Sequence, residues 1–258
     1  MSQIVKSLED EFGSALVERR KDGIVLSRDG EQYYPYIQAI ANAEEQLAEK
    51  QREMRGLKGS TIRIGTFTSV SRNILPHLMK DFKRSYPDIR FVLRQGDYSS
   101  VAGWVKDGSV DFGFVNTDAV SGVQTLPLYE ARLLAVLPPG HPLAKRKILS
   151  LTDLASEPFI LVDEGEYSVL LHDFEKYGLA PQIEYTVFDD YTILEMVREG
   201  LGISAMYERV LAGFDTGLEI RPIREKPVQR VALAWKSRGT MPYAARKFAD
   251  FVLMSCRE

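Results

Sequence analysis

The sequence predicts an α/β protein with a helical front end, and three observations carry this. After Ser60, strand-like and helix-like apolar patterns alternate, and the alternation occurs twice. Residues 30–57 hold a narrow apolar stripe in three- and four-residue steps, as a single long helix would. The chain has 258 residues and is 45% apolar, enough to bury one large core or two small ones.

The elements follow in order. Ile4, Leu8 and Phe12 stand at helical spacing with Val5 beside them, and Gly13 suits the left-handed position just past a helix end. Leu16-Val17 and Ile24-Val25-Leu26 are short apolar stretches around the basic turn Arg19-Arg20-Lys21. A helix, a basic hairpin and then a long helix is how a winged helix-turn-helix ends. On the long helix the stripe is Tyr33, Tyr36, Ile40, Ala43, Leu47 and Met54, interrupted at Lys50, with charged residues on much of the other face. Such a seam suits pairing with a second helix; the same stripe suits an amphipathic helix packed on its own domain. Pro35 falls near the start, where its missing N–H is tolerated, and Gly56 and Gly59 mark the end.

Beyond Ser60, residues 61–65 alternate as a strand and 69–86 follow a helical period. A strand over 89–94, a helix over 99–107 and a strand over 110–115 complete the first unit. The second has strands at 159–162, 183–188 and 203–206, with helices at 169–176 and 191–199. A strand at 231–235 and a helix at 243–254 close the chain. Strands alternating with helices imply a mostly parallel sheet with crossover connections.

The N-terminal stretch Ser7-Leu8-Glu9-Asp10-Glu11-Phe12-Gly13, followed by Leu16-Val17-Glu18-Arg19 and Leu26-Ser27-Arg28-Asp29-Gly30, resembles the LysR family of bacterial transcription regulators. Later landmarks match in order: Leu75-Pro76, Tyr86-Pro87, Asp111-Phe112-Gly113, His141-Pro142-Leu143-Ala144, Leu151-Thr152-Asp153-Leu154 and Glu199-Gly200-Leu201-Gly202-Ile203. Each is weak alone, and their order makes the signal. The family's frequent Phe and Thr in the first motifs are here Val17 and Ser27. The resemblance spans essentially the whole chain. It implies a partial winged helix-turn-helix over 1–29, a linker and dimerisation helix over 30–58, and a two-lobed sensor over 59–258, similar in fold to periplasmic binding proteins. Lobe one is expected at 59–155 plus 226–258 and lobe two at 156–225, with crossings near Ser156 and Lys226 and the last helix packed on lobe one. Family members carry two more helices before this point. The expectation is therefore a chain with the end of a reading domain and not its beginning, and poor operator binding.

On the DNA side, the resemblance points to Ser2, Gln3 and Lys6 on the reading helix, and to Arg19, Arg20, Lys21, Ser27 and Arg28 at the wing. Read without it, these are solvated polar residues. The partner helix surface would use Tyr36, Ile40, Leu47 and Met54 in a dimer or tetramer.

On the effector side, ligands of open α/β folds bind beyond the carboxyl ends of strands. Thr66, Thr68 and Ser69 follow the first strand, and their hydroxyls with nearby backbone N–H groups suit a carboxylate. Ser69 or Ser71 would equally serve as a helix cap. Asn116, Thr117, Asp163, Phe188, Asp190 and Met206 follow or end other strands expected to face the same cleft. Asp163, Glu164, Asp189 and Asp190 make the region acidic, which suits a cationic or hydroxyl group on the ligand, or else caps the helices that follow.

Composition narrows the classes. Net charge is −3, and the first 58 residues hold nine Lys and Arg against eleven Asp and Glu, so DNA contact would rest on local clusters. Cys256 is the single cysteine and excludes an internal disulfide; His77, His141 and His172 are scattered, which speaks against zinc. No cofactor is expected, no apolar run reaches membrane-spanning length, and the expected compartment is the cytoplasm. No hydrolase, phosphate-loop or metalloprotease motif appears, so the reading is a regulator, not an enzyme. Two rivals stand beside it: an effector-binding, oligomerising module that cannot read DNA, and an enzyme or transport protein on a two-lobed fold.

Overall fold

A computed structural model describes residues 3–20, 23–54, 59–212 and 217–256, with the side chains at 49 and 52–54 excepted. At the front, α1 (Gln3–Phe12) leads into the hairpin β1 (Val17–Arg20) and β2 (Gly23–Leu26), and α2 (Arg28–Met54) follows. The Glu9 carboxylate accepts from the backbone N–H of Leu16 at 2.8 Å and of Val17 at 3.2 Å, fastening α1 to β1. Buried Ser27 caps α2: its hydroxyl accepts from Gly30 N–H at 2.9 Å and donates to Ala15 O. Gly30 is needed there, since a Cβ would lie 2.0 Å from Leu16 O.

Lobe one contains β3 (Thr61–Thr66), α3 (Thr68–Asn73), α4 (Leu75–Ser85), β4 (Arg90–Gln95), α5 (Tyr98–Asp107) and β5 (Phe112–Asn116). The helix expected over 69–86 is two helices. Pro76 in the first turn of α4 has no N–H to continue the earlier helix, and Ile74 sits at the joint with φ −113°.

Next comes β6 (Gln124–Leu137), a 14-residue strand absent from the sequence expectations. Its first half pairs with β11 (Val228–Trp235), and its second half with β9 (Ser204–Tyr207) and β10 (Glu219–Pro222). All these pairings are antiparallel, so the sheet is mixed, not mostly parallel; β3–β4, β3–β5 and β7–β8 keep the parallel crossover pattern. The path through the larger sheet runs β10-β6-β11-β5-β3-β4, with β9 also on β6. Between α6 (Leu151–Ala155) and β9 lie β7 (Pro158–Val162), α7 (Val169–Lys176), β8 (Gln182–Val187) and α8 (Asp190–Arg198); α9 (Glu208–Leu211) follows β9.

The first crossing between lobes therefore lies inside β6 near Arg132, not near Ser156. Leu133, Ala135, Val136, Leu137, Leu149, Leu151 and Leu154 are buried with Phe159, Phe174 and Ile193 in the second core. Residues 133–155 thus belong to lobe two. The chain returns where Val228 pairs with Arg132 and Leu133 N–H donates to Pro227 O at 3.0 Å.

α10 (Tyr243–Ser255) packs on lobe one, burying Ala244, Ala245, Phe248, Ala249, Val252 and Leu253. Phe248 has ring centroids 4.9 Å from Phe82 and 4.8 Å from Phe91, with Phe112 at 6.3 Å. Among the described residues no helix is long and apolar enough to cross a membrane.

The face that α2 turns to its own chain is polar. Asn42 donates to Asp107 O at 2.8 Å and to the Ser109 hydroxyl at 3.2 Å, Gln46 donates to Gly108 O at 3.3 Å, and Glu45 pairs with Arg63. The apolar seam points elsewhere: Tyr36, Ile40 and Leu47 are 72%, 70% and 61% exposed. The alternative in which this stripe packs on its own domain does not match that orientation.

Phe248 joins the last helix to both layers of lobe one, so Phe248→Ala should cost about 3–5 kcal/mol in urea unfolding. A loss below about 1 kcal/mol would mean the aromatic cluster collapses around the gap.

Candidate functional site: the cleft between the lobes

The carboxyl ends of β3 and β4 in lobe one face those of β7 and β8 in lobe two, and β9 and β11 close the floor. The cleft between them holds a cavity of about 140 Å³ that opens to solvent. Parallel strands with helices following them place helix N-termini at one edge of each lobe, which explains why polar loops converge here.

Five of the nine residues expected at the effector site line this cleft: Thr68, Ser69, Asp163, Phe188 and Asp190. Four do not. Thr66 is wholly buried at the end of β3, where its carbonyl accepts from Gly96 N–H at 3.1 Å. Asn116 is buried and joins β5 to β11, its Oδ1 accepting from Arg230 N–H at 3.3 Å and from Asp118 N–H at 3.2 Å. Thr117 opens the short turn after β5. Met206 sits in the second core, and its neighbour Tyr207 reaches the cleft instead; successive strand residues face opposite sides, so an error of one position reverses the assignment.

Sequence reasoning missed Phe67, Gln95, Asp97, Tyr98, Tyr207, Val210 and Gln229. A signal existed for Asp97, a capping residue at the end of the second strand. None existed for Gln229, because its place depends on where the chain crosses back.

The acidic residues divide into two kinds. Asp97 and Asp189 cap α5 and α8, accepting from Ser100 N–H at 2.8 Å and Thr192 N–H at 2.7 Å. Asp163 accepts from Gly165 N–H in an exposed turn at 3.0 Å. Glu164 and Asp190 are different. Glu164 accepts from the Tyr98 hydroxyl at 2.7 Å, the Tyr207 hydroxyl at 2.5 Å and Val169 N–H at 3.1 Å. Burial nonetheless raises its pKa, these donors and the Ser168 hydroxyl only partly offsetting the lost hydration. Burial and the Glu164 charge together raise both tyrosines. Asp190, also buried, is pushed up to about 6, chiefly by desolvation and then by the charges of Asp189 and Glu164, against a hydrogen bond with Thr68.

Thr68 and Tyr98 belong to lobe one, Asp190 and Glu164 to lobe two, so both contacts bridge the cleft. Asn73 on α3 adds a third bridge, donating to Arg209 O at 2.6 Å, and Arg72 lies 4.2 Å over the Tyr191 ring. Of the described residues lining the cleft, none is Lys, Arg or His. A carboxylate ligand, which the hydroxyl cluster suggested, would have no cation facing it.

The serines do not cap α3 as the alternative had it. Phe67 holds the cap position without a side-chain bond, while Ser71 donates to Thr68 O at 3.1 Å and accepts from Gln95.

At the front end, Gln3 and Lys6 are exposed on α1, Arg19 and Arg20 on the hairpin and Arg28 at the start of α2, with Arg20 paired to Glu18 at 3.4 Å. Ser27 is occupied as the α2 cap and does not face outward, a correction to its expected place at the wing. Ser2 and Lys21 lie outside the described residues, as does the Met54 side chain.

A family model described as the LysR substrate binding domain matches residues 55–257. The HTH-type transcriptional regulator YvbU of Bacillus subtilis is 28% identical over 253 residues, covering 97% of this chain and 86% of that protein. HinK, a LysR family transcriptional regulator from Pseudomonas aeruginosa, has a crystal structure similar at TM-score 0.68 and 28% identity, over 98% of this chain and 86% of that one. The effector binding domain of QuiR in complex with shikimate shares the fold at TM-score 0.69 and 24% identity, covering 78% of this chain and 98% of that one.

The Asp190 proton gives a pH test. Its folded pKa lies above the unfolded value of 3.8, so its contribution is fully present below that value and is lost as pH rises through about 6. Asp190→Asn should therefore become relatively more stable than the parent as pH rises from about 4 to 7, by about 2–3 kcal/mol in denaturant unfolding. A pH-independent difference would mean that the carboxylate is well solvated.

Proposed function

The chain belongs to the LysR family of transcription regulators, and from that premise we propose that it couples a small molecule in the cleft to DNA reading through α2. The observation that carries this reading is the orientation of α2. Its polar face is tied to lobe one, and its apolar seam of Tyr36, Ile40 and Leu47 faces solvent along a 27-residue helix that also leads to the hairpin. A second copy laid along that seam would bury each of these side chains, worth about 1.5–3 kcal/mol per residue at full burial. Met54 is proposed to extend the seam.

DNA contact is assigned to Gln3 and Lys6 on α1 and to Arg19, Arg20 and Arg28, and from the sequence alone to Ser2 and Lys21. DNA as a partner places the protein in the cytoplasm. Effector binding is assigned to Thr68, Ser69, Asp163, Phe188 and Asp190. The ligand acts by population shift: it binds one arrangement of the two lobes better than another, and the assembly follows.

Selection from a random duplex library, then anisotropy at two salt concentrations, tests the DNA reading. Sequence-selective binding would carry the DNA reading over the sequence expectation of poor operator binding, and Arg19→Ala should then lower the salt slope by about one. A folded, oligomeric sample that binds no duplex would leave a sensor that does not read DNA. Leu47→Asp should shift the light-scattering mass toward a smaller species; an unchanged mass would assign the assembly to the sensor lobes alone.

A further inference from the structure

Gln229 stands on β11 at the return crossing, is wholly buried, and lines the cleft. Its Nε2 donates to the Tyr98 hydroxyl. Tyr98 gives its single proton to Glu164, so it can only accept from Gln229, and the orientation of the amide is thereby fixed. The other corner, Oε1, is a buried acceptor with no hydrogen-bond partner. A buried acceptor in that state has lost its water without a replacement, and a donor reaching it from the cleft would make good that loss.

The neighbouring groups ask for the same chemistry. Asp190 is a buried carboxylate with one hydroxyl partner, in the field of Glu164 and Asp189, and no lining residue among those described carries positive charge. Phe67, Phe188 and Val210 supply an apolar wall, with Phe188 55% exposed and free to lie against a ligand.

Resting on the regulator reading, we infer that the effector carries a cationic amino group, drawn by Asp190 and Glu164 and donating to Gln229 Oε1, on a small apolar body. The acceptor set excludes the opposite polarity: a carboxylate here would face Asp190 and Glu164 with no counter-charge, and would leave Gln229 Oε1 unsatisfied.

Titration calorimetry of the full chain near neutral pH, with benzylamine and benzoate as probes, tests this. The two share a ring and differ in the sign of the charge. Saturable benzylamine binding at least about ten-fold tighter than benzoate is expected. Asp190→Asn should weaken benzylamine by about ten-fold, and Gln229→Leu by about five-fold, with benzoate no weaker in either. Benzoate binding as tightly as benzylamine, no saturable benzylamine binding, or benzylamine affinity unchanged in both variants would each overturn the inference. A sample that selects duplex DNA yet prefers benzoate would discard the ligand class and leave the regulator reading standing.

Discussion

Two antiparallel strand segments hold the sensor together, and most of its properties descend from them. β6 serves both lobes, its first half paired with β11 and its second with β9 and β10, and β11 returns beside it at the Val228–Arg132 pair. The register shifts between Val231 and Ala232, whose partners are Tyr129 and Pro127, so Leu128 is the extra residue beside the one member of β6 unable to donate to a ladder. Because so few backbone bonds join the lobes, each has its own core. The space between them is lined by whatever the strand ends present, and Gln229 is carried into the floor by the crossing itself.

The elements that were legible in the sequence are those whose pattern is local. The helix over 169–176 coincides with α7, and the strands at 61–65 and 159–162 fall within one residue of their observed ends, since period and flanking turns suffice. What escaped is informative. β6 contains Pro127, then an alternating stretch, then the continuous apolar run Leu133 to Leu137, so no single period describes it. Without β6 the sequence implies a mostly parallel sheet and a crossing at 156, 24 positions after the observed one at 132. The cleft suffered the same way. Residues just past a strand, such as Thr68 and Asp190, could be named, whereas Tyr98 and Gln229 could not, because their membership depends on packing between distant segments.

The division among the carboxylates shows why an acidic sequence cluster cannot be read as one thing. Asp97 and Asp189 do the ordinary work of helix capping. One position along from Asp189, Asp190 turns inward, and the same chemical group becomes a buried charge held against a cost in hydration. Glu164 sits between, supported by two tyrosines and a helix N–H yet still raised. A site of this kind departs from the arrangement that would best stabilise the fold, which is the usual mark of a place kept for a ligand.

The polar ladder on α2 has a mechanical meaning. Tyr34 donates to Gln38, Gln38 to Asn42, and Asn42 and Gln46 to the end of α5. These bonds tie the long helix to lobe one, whereas lobe two meets lobe one through the strands and bridges of the cleft. A hinge motion would therefore appear, from the viewpoint of α2, as lobe two swinging against a fixed mount. In the proposed assembly the signal that leaves the cleft would then be the displacement of an outboard arm, read through the surfaces that lobe two carries.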